Sequence, residues 1–207
     1  MISSILILGT SNSGKSPLGD YIQEKFSTPE KRYFHFDFGG QLRRVIDEPG
    51  YAGLTKSESE YVESVMKGQL IDKAHLPVAR KIFRHFVQAI KLNPRNDMLV
   101  LNGFPRSIVQ ADFLKEINVA VEKVVYLDCP ASVALARKKN AEAGKGFEDR
   151  GKRQDSEMEI FNKKIASFEY ETYPLVEYFG RKKVEILVVK VGENTGPGEM
   201  AERIITT

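Results

Sequence analysis

Residues 9–16 of the chain are Gly-Thr-Ser-Asn-Ser-Gly-Lys-Ser, and they contain its most specific motif. An apolar run from Ile2 to Leu8 precedes it, and apolar residues at helical spacing follow it from Leu18 to Phe26. The run predicts a buried strand, and the spacing predicts a helix. The pattern G-x-x-x-x-G-K-S between a strand and a helix is typical of a phosphate-binding loop.

The residue types in this loop suit the binding of a nucleoside triphosphate. Glycines let the backbone turn so that successive N–H groups point inward at phosphate oxygens, and the following helix adds its positive end. Lys15 is expected to reach the β- and γ-phosphates, and the Ser16 hydroxyl is expected to lie on Mg²⁺. The predicted triphosphate-binding residues of the loop are Gly9, Ser11, Asn12, Ser13, Gly14, Lys15 and Ser16.

The rest of the chain alternates between strand and helix patterns. Further strand patterns occur at about 33–36, 98–101, 124–127 and 184–191, and helical patterns separate them. Alternation of this kind predicts an α/β fold with a parallel sheet covered on both faces. We therefore expect a three-layer sandwich of the P-loop NTPase type, with five parallel strands.

Two helices carry more detailed predictions. Ser57 with Glu60 three residues later fits a capping box, which predicts a helix from there to about Lys67. Apolar residues recur at helical spacing from 158 to 179 and predict one long helix. Its predicted buried stripe contains Met158, Phe161, Ile165, Phe168, Thr172, Leu175 and Phe179.

Composition narrows the class of protein. A chain of 207 residues suits one domain with small insertions. The net charge of +3 and the lack of a basic stripe with aromatics give no support for nucleic-acid binding. The single cysteine, Cys129, excludes a disulfide framework, and His35, His75 and His85 lack metal-ligand spacing. No apolar run is long enough for a membrane span, so the cytoplasm is the expected location.

A second motif resembles one known family. Residues 102–107, Asn-Gly-Phe-Pro-Arg-Ser, with Gln110 four residues after the arginine, resemble the D-G-F-P-R-T…Q signature of the adenylate kinases. Other segments are similar to motifs of that family and follow in its order: 38–43, 68–71, 153–155 and 172–175. The resemblance extends over nearly the whole chain.

The resemblance implies roles for individual residues. Arg43 and Arg106 are expected to hold the phosphate of an acceptor monophosphate, since a guanidinium grips phosphate oxygens with a planar fork of donors. Gln110 is expected to bond the acceptor base. Arg137 corresponds to an arginine against the adenine ring of the triphosphate, and Arg153 to one that closes over the phosphates. The implied catalytic residues are Lys15, Arg106, Arg137 and Arg153; the implied monophosphate-binding residues are Phe38, Gly39, Arg43, Leu70, Ile71, Gly103, Arg106 and Gln110.

Several positions depart from the family pattern. Asn102 replaces an aspartate that holds Mg²⁺ through water; an amide can orient a water but supplies no charge, so weaker metal binding is expected. Asp128 is a candidate to compensate. Ala141 stands where a second lid arginine is expected, and Lys164 replaces an arginine. Phe38 replaces a threonine that touches the base. Three basic residues are candidates to replace the missing lid arginine: Lys138, Lys145 and Arg150.

These observations predict a nucleoside monophosphate kinase that transfers the γ-phosphoryl group of Mg·ATP, most readily to AMP. Residues 37–71 are expected to form a clamp over the acceptor, and 138–154 a short lid without zinc. We expect a monomer whose ligands are ATP and a nucleoside monophosphate. Two alternatives stay open: a nucleotide-binding protein with little or no catalysis, and a P-loop kinase for another small molecule.

Overall fold

The computed structural model describes residues 1–147 and 158–205. Its strands are β1 (Ile2–Gly9), β2 (Tyr33–Asp37), β3 (Met98–Asn102), β4 (Val119–Asp128) and β5 (Glu185–Lys190). Its α-helices are α1 (Lys15–Phe26), α2 (Phe38–Asp47), α3 (Lys56–Met66), α4 (Leu76–Ala89), α5 (Ile108–Phe113), α6 (Ala131–Glu142), α7 (Met158–Ser167), α8 (Pro174–Arg181) and α9 (Pro197–Ile205). Short 3₁₀ helices span Tyr51–Gly53 and Lys73–His75.

The described strands form one parallel sheet in the order β2-β3-β1-β4-β5. The predicted five-stranded parallel α/β fold is confirmed. In the ladder, Asn102 lies opposite both Ile7 of β1 and Asp37 of β2. The carboxyl ends of three neighbouring strands therefore meet at one place, directly beside the loop of residues 9–16.

Two apolar cores cover the two faces of the sheet. Alternate residues of a strand point to opposite faces, so Leu6 and Leu8 join one core while Ile5 and Ile7 join the other. The first core also takes in α2, α3, α4 and α8, and the second takes in α1 and α9. This is the predicted three-layer sandwich. The sheet is thereby fixed on both sides, which gives the loops at its carboxyl edge a rigid base.

The capping box of α3 lies two residues earlier than predicted. Thr55 is the N-cap: its hydroxyl accepts a hydrogen bond from the Glu58 N–H, and the Glu58 carboxylate accepts one from the Thr55 N–H. The prediction of Ser57 with Glu60 was wrong because both pairs fit the same three-residue spacing. Burial of Leu54, directly before Thr55, accompanies the earlier start.

The predicted long helix from 158 to 179 is interrupted. A π-helical turn at Phe168–Thr172 separates α7 from α8, and the Tyr173 N–H bonds the Phe168 carbonyl at 2.7 Å. Pro174 explains the break, since it has no N–H and its ring collides with the preceding turn of an α-helix. The residues of the predicted stripe are buried, except that Ile165 is half-buried and Met158 is exposed. Strand β4 also begins five residues before the predicted 124.

Candidate functional site

A deep cleft opens at the carboxyl edge of the sheet, where β1, β3 and β2 end. It encloses about 1150 Å³, its open mouth included. Predicted residues from both halves of the site line it: Gly9, Ser11, Asn12, Gly14, Lys15, Ser16, Phe38, Gly39, Arg43, Leu70, Ile71, Asn102, Gly103, Arg106 and Gln110. Parts of the chain far apart in sequence thus face one cleft.

The backbone of the phosphate loop takes a left-handed conformation at Gly14, which glycine adopts far more readily than other residues. Gly14 has φ 97°, in the left-handed region, and forms the N-cap of α1. The N–H groups of Lys15 and Ser16 stand in the first helical turn, where no intrahelical acceptor exists. The Lys15 ammonium donates to the carbonyl oxygens of Gly9 and Thr10 at 2.7 and 2.6 Å. Loop, donors and ammonium together form a ready anion site.

Three buried polar atoms of the loop have no hydrogen-bond partner among the described residues: Thr10 Oγ1, Asn12 Oδ1 and Ser13 Oγ. A buried hydroxyl or amide without a partner costs free energy. Of these three residues Asn12 lines the cleft, so one polar atom without a described partner belongs to a residue of the cleft wall.

Arg106 places a second cationic group in this cleft. It follows β3 through Gly103, and its carbonyl accepts a hydrogen bond from the Thr172 hydroxyl at 2.9 Å. Within the described parts of the chain, its guanidinium has no ion pair or hydrogen bond. Burial lowers the pKa of Arg106 to about 10, so the group is still charged at neutral pH. An unpaired, poorly hydrated guanidinium has a strong affinity for a phosphate.

A polar cluster joins the loop to the ends of β2 and β3. Asn102 Nδ2 donates to Ser16 Oγ at 3.1 Å, and Ser16 Oγ lies 3.4 Å from Asp37 Oδ2. Asp37 is also 3.4 Å from the Arg43 guanidinium. Hydroxyl, amide and carboxylate oxygens can coordinate Mg²⁺ directly or accept hydrogen bonds from the waters that it holds. Within 1–147 and 158–205 no group of three or more His, Cys, Asp or Glu side chains forms a metal cage.

The His35 side chain contacts this cluster through Asn102. Its side chain is buried, with Nε2 3.2 Å from Asn102 Nδ2 and Nδ1 2.7 Å from the Asp20 carboxylate. Because Asn102 donates through its nitrogen, His35 Nε2 accepts and His35 Nδ1–H donates to Asp20. His35, which the sequence singled out only for its lack of metal-ligand spacing, thus fixes the orientation of the Asn102 amide.

The side of the cleft predicted to take the acceptor has an apolar wall. The Phe38 ring packs on Phe104 with centroids 5.1 Å apart, and Leu70 and Ile71 line the wall. Gln110 is buried, with Nε2 donating to the Ile71 carbonyl at 2.9 Å and Oε1 accepting from the Arg106 N–H at 2.7 Å. Gln110 thus ties the wall to the Arg106 segment. Its predicted contact with a base stays a prediction.

Arg137 lines a second cavity, beside Asn12 and Gly14 of the loop, with a volume of about 600 Å³ when its open mouth is included. Its guanidinium donates to the carbonyl oxygen of Asn12 at 3.1 Å and to those of Gly192 and Thr195 at 2.8 and 3.0 Å. These bonds tie the phosphate loop to the segment between β5 and α9. Pro17 and Lys145 line the same cavity.

Several predicted residues are not found in the main cleft. Arg153 and Arg150 fall outside the described residues, as do residues 148–154 of the predicted lid. Residues 138–142 of that lid belong to α6, where Lys138 pairs with Glu142. Asp128 lines neither cavity among the described residues, and Ala141 lines the second.

Sequence reasoning missed Asp37 as a site residue. The available signal was its position directly after β2, since parallel strands bring their carboxyl ends to one edge.

Comparison with known proteins adds a further line of evidence. No protein-family model matches the chain. An adenylate kinase of Prochlorococcus marinus (strain MIT 9515) is 30% identical over 185 residues, which cover 86% of this chain and 85% of that protein. Adenylate kinases of Sodalis glossinidius (strain morsitans) and Photorhabdus laumondii subsp. laumondii are each 24% identical over 199 residues, with 86% of both chains covered.

Proposed function

The chain belongs to the adenylate kinase family, and on that premise we propose that it transfers the γ-phosphoryl group of Mg·ATP to a nucleoside monophosphate. AMP is the acceptor that we expect it to prefer. No covalent enzyme intermediate is required. Phosphoryl transfer needs positioning and neutralisation of charge more than it needs a nucleophilic side chain. The cleft has the groups for both tasks.

The observation that carries the proposal is the Arg106 guanidinium, which has no partner among the described residues and lies in the same cleft as the phosphate loop. The loop with Lys15 suits the triphosphate, and Arg106 suits a second phosphate that approaches it. A simple hydrolase needs only the first of these devices. Two phosphate-binding devices in one cleft support transfer between two nucleotides.

The residues at the cleft also fit Mg²⁺. Ser16 Oγ can serve as a ligand, and Asn102 and Asp37 lie beside it at hydrogen-bonding range. Mg²⁺ keeps several waters and takes few protein ligands when it binds with phosphates, so a sparse donor set suffices. When bound, the ion neutralises charge on the transferring phosphates. Ser16 and its neighbours would hold it there.

Donor and acceptor bases would occupy opposite sides of the loop. The cavity beside Arg137 suits the base of ATP, since the phosphate loop separates it from the main cleft. The apolar wall of Phe38, Leu70 and Ile71 suits the acceptor base. AMP is the first choice because Gln110 stands where the adenylate kinases have glutamine. Segments 37–71 and 138–154 would close over the two nucleotides and exclude water from the reaction.

The direct test measures ADP formation from ATP and Mg²⁺ with AMP, CMP, UMP, GMP and dAMP as separate acceptors. AMP is expected to give the highest kcat/KM. Lys15→Ala and Arg106→Ala should abolish turnover. Lys25→Ala and Arg181→Ala are matched controls, because both residues are exposed and pair with neighbouring glutamates, Glu24 and Glu177.

A second candidate function is nucleotide binding with little or no catalysis. Asn102 and Ala141 favour it, because they remove one carboxylate and one arginine that the family pattern supplies. It predicts tight ATP binding with no turnover for any of the five acceptors. Turnover with an acceptor other than AMP would instead favour a kinase of different specificity.

A further inference from the structure

Asp37 is a helix N-cap whose side chain does not cap its helix. It stands between β2 and α2, yet its carboxylate accepts no hydrogen bond from the first turn of α2. A carboxylate at this position usually bonds the free N–H groups there. Here Oδ2 lies instead 3.4 Å from Ser16 Oγ, at the phosphate loop. The side chain is therefore directed into the cleft.

The Asn102 side chain has an amide oxygen that can accept a hydrogen bond and a nitrogen that can only donate. Its nitrogen faces Ser16, and the same nitrogen contacts His35 Nε2, so both of its N–H groups are used. Hydrogens of a metal-bound water point away from the ion, and their partner must be an acceptor. A carboxylate has only acceptor oxygens. Among the described residues that line the cleft, Asp37 has the carboxylate nearest to Ser16.

The backbone beside Asp37 leaves room for its carboxylate. A Cβ at Gly40 would stand 3.2 Å from Asp37 Oδ2, and one at Gly39 would stand 3.5 Å from Oδ1. A side chain at position 40 would press on the carboxylate. The glycine at position 40, in the first turn of α2 where glycine weakens a helix, thus leaves room for the carboxylate.

We propose that Asp37 supplies the acceptor carboxylate that orients the waters of the metal ion bound with ATP, in place of residue 102. This inference rests on the proposed function, because it concerns the triphosphate site of that reaction. The His35–Asn102 pair then acts as a positioning device that holds Ser16. Asp37 has a loose contact with Arg43 at 3.4 Å, which leaves the arginine available to the acceptor phosphate.

The test compares ATP affinity with Mg²⁺ and with EDTA, by isothermal titration calorimetry, for four proteins. These are the wild type, Asp37→Asn, the double variant Asp37→Asn/Asn102→Asp, and Asp47→Asn. Asp47 is the matched control, an exposed aspartate at the other end of α2. The ratio of the two affinities measures the contribution of the metal. The affinity in EDTA checks that each variant retains a folded phosphate loop.

Asp37→Asn is expected to lower the ratio about tenfold, as loss of a partner to metal-bound groups does. Its affinity in EDTA should be equal or higher, because a negative charge near the phosphates is removed. Asn102→Asp in the double variant should restore the ratio, and Asp47→Asn should leave it unchanged.

An unchanged ratio in Asp37→Asn would overturn the inference. The inference also fails if Asp37→Asn alters only the affinity for the monophosphate, since Asp37 would then serve Arg43 alone. Turnover is not read in this experiment. A protein that binds Mg·ATP but transfers nothing contradicts the proposed function and still gives a result for Asp37.

Discussion

Arg106 carries a charge that no described acidic side chain neutralises, in surroundings that lower its pKa to about 10. Such a group lowers the stability of the ligand-free protein, because a poorly hydrated charge without a partner costs free energy. The same lack of a partner makes it effective toward a phosphate. At this residue, stability and function oppose each other.

Arg106→Met is expected to separate these two quantities. The free energy of unfolding should rise by about 1 kcal/mol, since an apolar side chain of similar length replaces an unpaired charge. The kcat/KM with AMP should fall by about a thousandfold, as for other arginines that stabilise a transferring phosphoryl group. Urea denaturation and a coupled ADP assay measure the two. Loss of both stability and activity would mean that Arg106 has a structural role.

Residues of the site differed in how far sequence could predict them. The loop of residues 9–16 was predictable because its glycines, lysine and serine act at fixed spacing on one backbone. The cluster of Asp37, Asn102 and His35 was not, because it depends on the register between β2 and β3. Asn102 was recognised as a departure, but the carboxylate beside it came into view only when that register was known.

At the scale of elements, α3 offers a comparison of two capping sites two residues apart. Thr55→Ala should lower the free energy of unfolding by about 1 kcal/mol, because it removes the acceptor for the Glu58 N–H. Ser57→Ala, at the site that spacing alone also allows, should change it by less than about 0.5 kcal/mol. Urea denaturation of both variants decides between the sites. Equal losses would contradict the cap observed at Thr55.

The starts of β2 and β3 are joined by an ion pair between the exposed Arg32 side chain and the buried Asp97 carboxylate. Asp97 accepts two hydrogen bonds from the Arg32 guanidinium, at 2.8 and 2.6 Å, and one from the Asn93 N–H at 2.6 Å. Burial by itself would raise the pKa of Asp97, but these hydrogen bonds outweigh it and hold the pKa below its ordinary value. The charged form is therefore part of the folded state.

Asp97→Asn should cost about 2 kcal/mol at pH 7, the range for hydrogen bonds to a charged group. A carboxyl group with a lowered folded-state pKa stabilises the fold above its unfolded pKa of about 4 and loses that contribution as the pH falls through its folded value. The difference between wild type and variant should therefore shrink below about pH 4. Thermal unfolding from pH 7 to pH 3, with Asp47→Asn as control, measures it. A difference independent of pH would contradict the assignment.

The break between α7 and α8 marks a limit of sequence patterns. The apolar stripe from Phe161 to Phe179 continues across it, so periodicity alone gave one helix. Pro174 was the available signal for an interruption. The interruption takes the form of a π-helical turn at 168–172. This form depends on packing against the sheet, which the spacing of apolar residues does not reveal.

At the scale of the whole molecule, ligand binding and stability are linked. If Mg·ATP binds only the folded chain, a concentration of about 100 times Kd adds about 2.7 kcal/mol. That corresponds to a rise in Tm of roughly 5–10 °C for a chain of this length. Lys15→Ala should remove the rise, whereas Lys25→Ala should keep it. A similar rise in Lys15→Ala would place the nucleotide outside the phosphate loop.

The sheet and its layers were the most predictable part of the chain, because buried parallel strands produce apolar runs and the intervening helices produce an amphipathic period. The described residues add a cleft lined by both the loop of residues 9–16 and Arg106, and strand order rather than any one segment brings the two together. No described helix combines the length and the apolar content that crossing a bilayer requires.

The reverse reaction shows whether a phosphoryl group passes between two nucleotides bound in one cleft. Incubated with Mg²⁺ and ADP alone, the protein should form ATP and AMP in equal amounts, because one ADP donates and the other accepts. Lys15→Ala and Arg106→Ala should abolish both products, and Arg181→Ala should form both. No ATP from ADP alone, in a protein that binds ADP, would contradict the account.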